Sequence, residues 1–258
     1  LDNHLKLYIG NKNYSSWSMR PWVLMKQMDI GFDEHLVRFD GFTPESSFKK
    51  AMAELCPTGR VPVLVDSGLV IWDSLAIVEY LAERFPDRHL WPQQPDARAL
   101  ARSLCAEMHS GFTALRAACP MNIEASLPDI GALMLRDRPS VRDDLARIDH
   151  MWSSSLARFG GPMLFGRYTI ADAFFAPVVM RIKTYHLPLS ELARDYVQAC
   201  LGTSGVEAWV DEAIAENDFR DFEEPYRLKP SSEIKPSSEI KPSSEIKPSS
   251  EIKPSSEN

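Results

Sequence analysis

Residues 61–85 read VPVLVDSGLVIWDSLAIVEYLAERF, and the change of period inside this stretch decides the architecture. VPVLVD and LVIWD are short runs rich in β-branched residues. The two-residue break between them, Ser67-Gly68, suits a hairpin turn. From Ser74 the spacing lengthens, and Ile77, Leu81 and Phe85 fall on one face of an amphipathic helix. Working back towards the amino terminus, HLKLYIG is an apolar run closed by Gly10 and reads as a strand. The loop NKNYSS follows, then WSMRPWVLMKQM, where Trp22, Met25 and Met28 recur at helical spacing. Gly31 is the expected C-cap of that helix. DEHLVRFD alternates enough for a strand, and a second helix is expected from Pro44 to Leu55. The order β-α-β-α-β-β-α predicts a small mixed sheet covered by helices, an α/β domain over residues 1–85.

Downstream, Pro86, Pro92 and Pro95 cannot occupy helix interiors, so residues 86–95 read as a linker. Strand signals then vanish. Leu104, Met108, Leu115 and Cys119 form one apolar stripe at helical spacing, and Leu145, Ile148, Trp152 and Leu156 form another. His109 and Arg116, seven residues apart, are expected on one helical face. Thr169 can cap a further helix while Asp172, three residues on, reaches back as in a capping box. Shorter helices are expected near Leu189–Cys200 and Val206–Glu216. Residues 96–226 therefore predict an all-helical second domain.

The remainder is a low-complexity tail, expected to be disordered over 227–258. From Lys229 the hexapeptide KPSSEI recurs four times and closes with KPSSEN. A proline in every unit and a single aliphatic residue per unit leave too little to bury against the entropy of ordering. The whole chain has 258 residues, 44% hydrophobic, with a net charge of −7. That balance lacks the basic excess a nucleic-acid binder needs. No apolar run is long enough to span a bilayer, and the first residues lack a secretion signal, so a cytoplasmic protein is expected. Cys56, Cys105, Cys119 and Cys200 show no metal-ligand spacing, so no metal is expected and all four read as reduced core thiols.

Four segments, in this order and spacing, resemble the cytosolic glutathione transferases across residues 5–225: YSSWSMRPW, RVPVL, WDSLAIVEYL and GRYTIADAFFAPV. The first is similar to the zeta-class pattern SSC-S-x-R, matched here by Ser15, Ser16, Trp17, Ser18 and Arg20. The departure is Trp17, where that class carries cysteine. The resemblance implies a thioredoxin-like amino-terminal domain, glutathione as co-substrate, a small electrophile as partner, a role in detoxification and a two-fold homodimer.

The chemistry asked of the serines is specific. A thiol with a reference pKa of about 8.5 is only about 3% thiolate at pH 7, and the thiolate is the nucleophile. A helix amino terminus offers partial positive charge and free N–H donors, and a serine hydroxyl can donate to sulfur without competing as a nucleophile. Pro21 belongs in a first helical turn, which places Ser15 and Ser16 in the approach loop. Family pattern favours Ser15, with Ser16 in reserve. The resemblance further implies a cis bond at Val61-Pro62, with the Val61 backbone pairing the cysteinyl moiety of glutathione as a short added strand. Asp73 and Ser74, at a helix amino terminus, suit the ammonium and carboxylate of the γ-glutamyl end, and Ser74 is the expected cap. Arg60 suits the glycyl carboxylate, and Trp17 adjoins the tripeptide. His109, Phe112, Arg116, Cys119 and Met121 are the candidates for the second-substrate site. Thr169 and Asp172 read as scaffold.

Two other readings stand beside conjugation. One is a glutathione-dependent cis-trans isomerase of the maleylacetoacetate type. The other is a non-catalytic glutathione- or ligand-binding member of the fold. A thiol oxidoreductase would need a cysteine near positions 15–18, and none is there.

Overall fold

A computed structural model describes residues 5–230. Four strands form one mixed sheet in the order β2-β1-β3-β4, built from β1 Leu5–Ile9, β2 Asp33–Leu36, β3 Val63–Asp66 and β4 Leu69–Trp72. β1 runs parallel to β2 and antiparallel to β3, and β3 turns back on β4. Ser67 and Gly68 both take positive φ, 50° and 92°, as a two-residue hairpin turn requires. Strand alternation sends Leu5, Leu7 and Ile9 into the core, where they are fully buried. Three helices accompany the sheet: α1 Ser16–Gln27, α2 Ser47–Leu55 and α3 Ser74–Arg84. The expected β-α-β-α-β-β-α order is the observed one, and the fold is thioredoxin-like.

The boundaries differ in instructive ways. α1 stops at Gln27, with Met28 as C-cap and Asp29 in the left-handed region, so Gly31 is not the cap. The helix also begins earlier than Pro21 suggested. Ser16 is its first residue and Ser15 its N-cap, which leaves Pro21 inside the helix. Its missing N–H withdraws one i→i−4 bond from the carbonyl of Trp17. The β2 strand keeps only four residues of the DEHLVRFD run.

Beyond a short 3₁₀ turn at Pro86–Arg88 the chain is helical: α4 Pro95–Ser110, α5 Thr113–Ala118, α6 Pro128–Asp137, α7 Pro139–Phe159, α8 Ile170–Tyr185, α9 Glu191–Leu201 and α10 Ser204–Glu216. α8 is buried at every position but Lys183 and forms the centre, with Phe174, Phe175, Val178, Val179 and Met180 fully buried. It packs on α1 and α4. Its capping box is formed: the Thr169 side chain accepts from the Ala171 N–H, and Asp172 Oδ2 accepts from the Thr169 N–H at 2.8 Å. Asp172 Oδ1 also takes the Leu164 N–H at 3.1 Å, tying the preceding loop to the cap.

The stripe Leu104, Met108, Leu115, Cys119 does not lie on one helix. Gly111 adopts an extended conformation and Phe112 a left-handed one (φ 56°), which ends α4 and starts α5 on a new axis. A Cβ at Gly111 would stand 2.7 Å from the carbonyl oxygen of Glu107, so glycine permits the break. His109 and Arg116 are therefore not on one helical face.

The sheet and the helices through α10 pack as one compact unit that runs to Asp218, and Phe219 onward forms a unit of its own. Within that second unit, Arg227 is buried and its Nε donates to Glu224 at 2.9 Å, so ordered structure extends past the expected start of the tail. The rest of the tail, residues 231–258, lies outside the described residues.

Candidate active site

The loop between β1 and α1 delivers Ser15. Tyr14 and Ser15 both donate their N–H groups to the carbonyl of Asn11, at 3.1 and 2.9 Å, closing a tight turn before the helix. Ser15 sits at the N-cap but its side chain caps nothing. Its Oγ lies 2.7 Å from Ser18 Oγ, and Ser18 Oγ also accepts the Gly10 N–H at 3.2 Å. Both hydroxyls are buried. A hydroxyl has one proton and two lone pairs and rotates to suit. Ser15 is the donor of that pair, and with one Ser18 lone pair held by Gly10 the other takes the Ser15 proton; rotation of the Ser15 hydroxyl turns that proton to another acceptor. Ser16, the first helical residue, is half-buried.

Across the sheet, the Val61-Pro62 bond is cis, as the resemblance implies. Val61 is half-buried and Arg60 exposed. Asp73, rather than Ser74, is the N-cap of α3: its Oδ1 accepts from Leu75 and Ala76 N–H at 2.8 and 3.4 Å. It does so from a left-handed backbone, φ 76°. Ser74 is buried as the first helical residue, and its Oγ accepts from Arg20 Nη1 at 3.4 Å. An arginine only donates, so the Ser74 proton points elsewhere.

Trp17 faces the helices. The Arg20 and Arg116 guanidinium carbons lie 4.3 and 4.7 Å from its ring centroid, and the His109 ring meets it edge-on at 5.1 Å. His109 Nε2 reaches Asp73 Oδ2, so the residue expected beside the second substrate also touches the α3 cap. Arg116 comes back to the same place despite the helix break, donating to the His109 and Gly111 carbonyls. Phe112, Cys119 and Met121 are buried in the helical half, and burial pushes the Cys119 thiol up to about 12.

Sequence reasoning passed over the charge of this region. Arg20 is almost fully buried against the Phe174 ring, and its pKa falls to about 9, chiefly through burial and then through Arg116 and Arg181. Burial likewise lowers Arg181 to about 10 and depresses Arg116. All three remain cations at neutral pH. Arg20 Nε, Arg181 Nε and His109 Nδ1 have no protein partner among the described residues. Arg20 stands in the serine motif, which is its signal in the sequence. Arg181 lies deep in an apolar helix, and nothing in its neighbours marks it. Among the described residues no group of three or more His, Cys, Asp or Glu is placed to hold a metal, and no helix is long and apolar enough to cross a membrane.

Residues 14–84 match the family described as glutathione S-transferase, N-terminal domain. A probable maleylacetoacetate isomerase of Caenorhabditis elegans is 35% identical over 109 residues, 42% of this chain and 48% of the relative. Glutathione S-transferase Z1 of Arabidopsis thaliana is 35% identical over 112 residues, 43% of this chain and 48% of that protein. The chain thus spans about half the length of these curated relatives. In three dimensions it is similar to a Burkholderia glutathione transferase homologue solved with bound glutathione, with TM-score 0.59 and 24% identity over 82% of this chain and 98% of that one.

Proposed function

The chain carries the amino-terminal domain of the glutathione transferases within a fold shared with that superfamily, and from that premise we propose that it is a serine-type glutathione transferase. The observation that carries this reading is Ser15: a buried hydroxyl at the amino terminus of α1 whose side chain is not spent on capping the helix. Glutathione binds with its cysteinyl backbone on Val61 and its γ-glutamyl end at Asp73 and Ser74. Arg60 meets the glycyl carboxylate in this reading. The Ser15 proton, turned from Ser18 to the sulfur, and the partial positive charge of the helix terminus favour the thiolate. The sulfur then bonds to the electrophilic carbon of a small substrate, and the leaving group departs with its bonding electrons. Trp17, His109 and Arg116 line the acceptor's side. Phe112, Cys119 and Met121, being buried, shape that side from behind. A two-fold homodimer in the cytoplasm belongs to the same reading.

A second reading is favoured by one observation, two buried arginines, Arg20 and Arg181, whose Nε groups have no protein partner among the described residues. An acceptor bearing carboxylates would satisfy their unpartnered N–H groups, as a substrate of the maleylacetoacetate type would. In that reaction the sulfur adds to the double bond and leaves again after rotation, with no net transfer. Trp17 in place of a cysteine distinguishes this chain from the zeta pattern.

Ultraviolet titration of the thiolate in the glutathione complex tests the first reading. Ser15→Ala removes a hydrogen bond to a charged group, worth about 1.5 to 3 kcal/mol, which raises the thiol pKa by about one to two units. Ser16→Ala should do less. An unchanged pKa in both variants removes serine from the mechanism and leaves the helix terminus alone as activator.

A further inference from the structure

The side chains of the tripeptide Asn11-Lys12-Asn13, immediately before the serine loop, have no part in the reading above, yet the segment is anchored from several elements at once. Lys12 is buried, with only 4% of its side chain exposed. Its ammonium pairs with Glu34 on β2 and with Glu212 and Glu216 on α10, the last two at 3.2 and 3.8 Å. It also lies 5.7 and 5.8 Å from the ring centroids of Trp22 and Trp209, which meet edge to face at 5.2 Å. The main chain is held as firmly. The Lys12 N–H donates to Glu216, and its carbonyl accepts from Trp209 Nε1 at 3.0 Å. On one side, Asn11 Nδ2 donates to Glu216 and Asp218 while its Oδ1 accepts the Phe39 N–H. On the other, Asn13 accepts from Ile123 N–H through its carbonyl and from Glu124 N–H through Oδ1.

Every one of these contacts acts on the segment whose Asn11 carbonyl holds the Ser15 N–H. α10 is in turn fixed on α1: a Cβ at Gly205 would stand 2.4 Å from the Val23 carbonyl oxygen, and the Gln27 side chain accepts from the Gly205 N–H and the Ser204 hydroxyl. A loop held from both sides presents a hydroxyl in one place. A displacement of about 1 Å at a reacting group is enough to cost a large factor in rate.

We propose that Lys12 is a positioning residue for Ser15: by clamping the turn to α10 and β2, it sets the hydroxyl where it can donate to the glutathione sulfur. This rests on the reading of Ser15 as thiol activator. It assigns to the last helix of the compact unit a role in thiol activation, separate from any contact with the acceptor.

The test compares Lys12→Met, Lys12→Arg and Asn13→Ala with Ser15→Ala, each titrated for thiolate in its glutathione complex and checked for folding by circular dichroism. Lys12→Met should raise the bound thiol pKa by about one unit and lower turnover near neutral pH by about tenfold. KM for glutathione should stay within about twofold, because Val61, Asp73 and Ser74 are untouched. Lys12→Arg, which keeps the charge, should recover most of the loss, and in a Ser15→Ala background Lys12→Met should add nothing to the pKa. If Lys12→Met does not fold, Asn13→Ala decides, with a smaller shift in the same direction. A shift with Ser15→Ala but none with the folded Lys12 or Asn13 variants leaves Lys12 purely structural and overturns the proposal. No shift with Ser15→Ala overturns the serine reading itself and removes what Lys12 was to position.

Discussion

His109 Nε2 lies 3.2 Å from Asp73 Oδ2, which joins the end of α4 to the cap of α3 across the proposed glutathione site. Burial is the main influence on His109 and depresses its pKa below the ordinary 6.5. Asp73 works against that shift, while Arg20 and Arg116 reinforce it. A histidine that binds its proton less readily when folded contributes stability that is full above the unfolded pKa and is lost as pH falls below it. The melting temperature should therefore drop as pH falls below about 6.5, and His109→Gln should flatten that drop. An equally steep decline in the variant would assign the pH dependence to another group.

Ser18 should matter to the thiol although it is not proposed to touch it. Ser18→Ala removes the acceptor that holds the Ser15 proton and leaves the Gly10 N–H unpaired. The bound thiol pKa should fall by about half a unit, since the Ser15 proton no longer has to leave Ser18 to reach the sulfur. The double variant should match Ser15→Ala alone, and additive shifts would mean that Ser18 acts on the sulfur by another route.

Arg20→Met separates the two substrate readings. A buried cation beside two others carries a desolvation cost, so an apolar side chain of similar length should leave the melting temperature unchanged or raise it. Turnover of a carboxylate-bearing acceptor should fall by about tenfold or more, against a smaller fall for a neutral aryl halide. Equal losses for both acceptors would place Arg20 on the glutathione side, acting through Ser74.

The cap of α8 should behave as scaffold. Thr169→Ala should cost about 1 kcal/mol of stability. Asp172→Ala strands the Leu164 and Thr169 N–H groups as well, and should cost about 2 kcal/mol or more. Folded protein from either variant should bind glutathione with unchanged affinity by calorimetry. A stable Asp172→Ala protein with selectively weakened binding would move that residue into the site.

What could be read from the sequence follows the physics of each element. The hairpin at Ser67-Gly68 and the cap at Thr169 and Asp172 were legible because both are local: a turn or a cap is specified by the few residues that form it. The break at Gly111-Phe112 was hidden because the apolar spacing from Leu104 to Cys119 continues across it, and periodicity reports burial rather than axis direction. The exchange of roles between Asp73 and Ser74 depended on a positive φ at an aspartate, which side-chain preference does not reveal. Arg181 and Lys12 were silent for a further reason. The partners of Lys12 lie on other elements, Arg181 bonds only back to the Pro177 carbonyl of its own helix among the bonds described, and a buried cation looks like a surface one until the chain is folded around it.

The bonds between Lys12 and Glu216 close a loop of 204 residues. Contacts of such sequence separation form late, because loop closure must precede any gain from them. During synthesis the amino-terminal half leaves the ribosome well before α10, so the turn bearing Ser15 spends that interval without its clamp. The nascent chain can thus complete its sheet while its reactive corner is still unassembled. Competence for chemistry would then arrive last, once the final helix of the compact unit has docked.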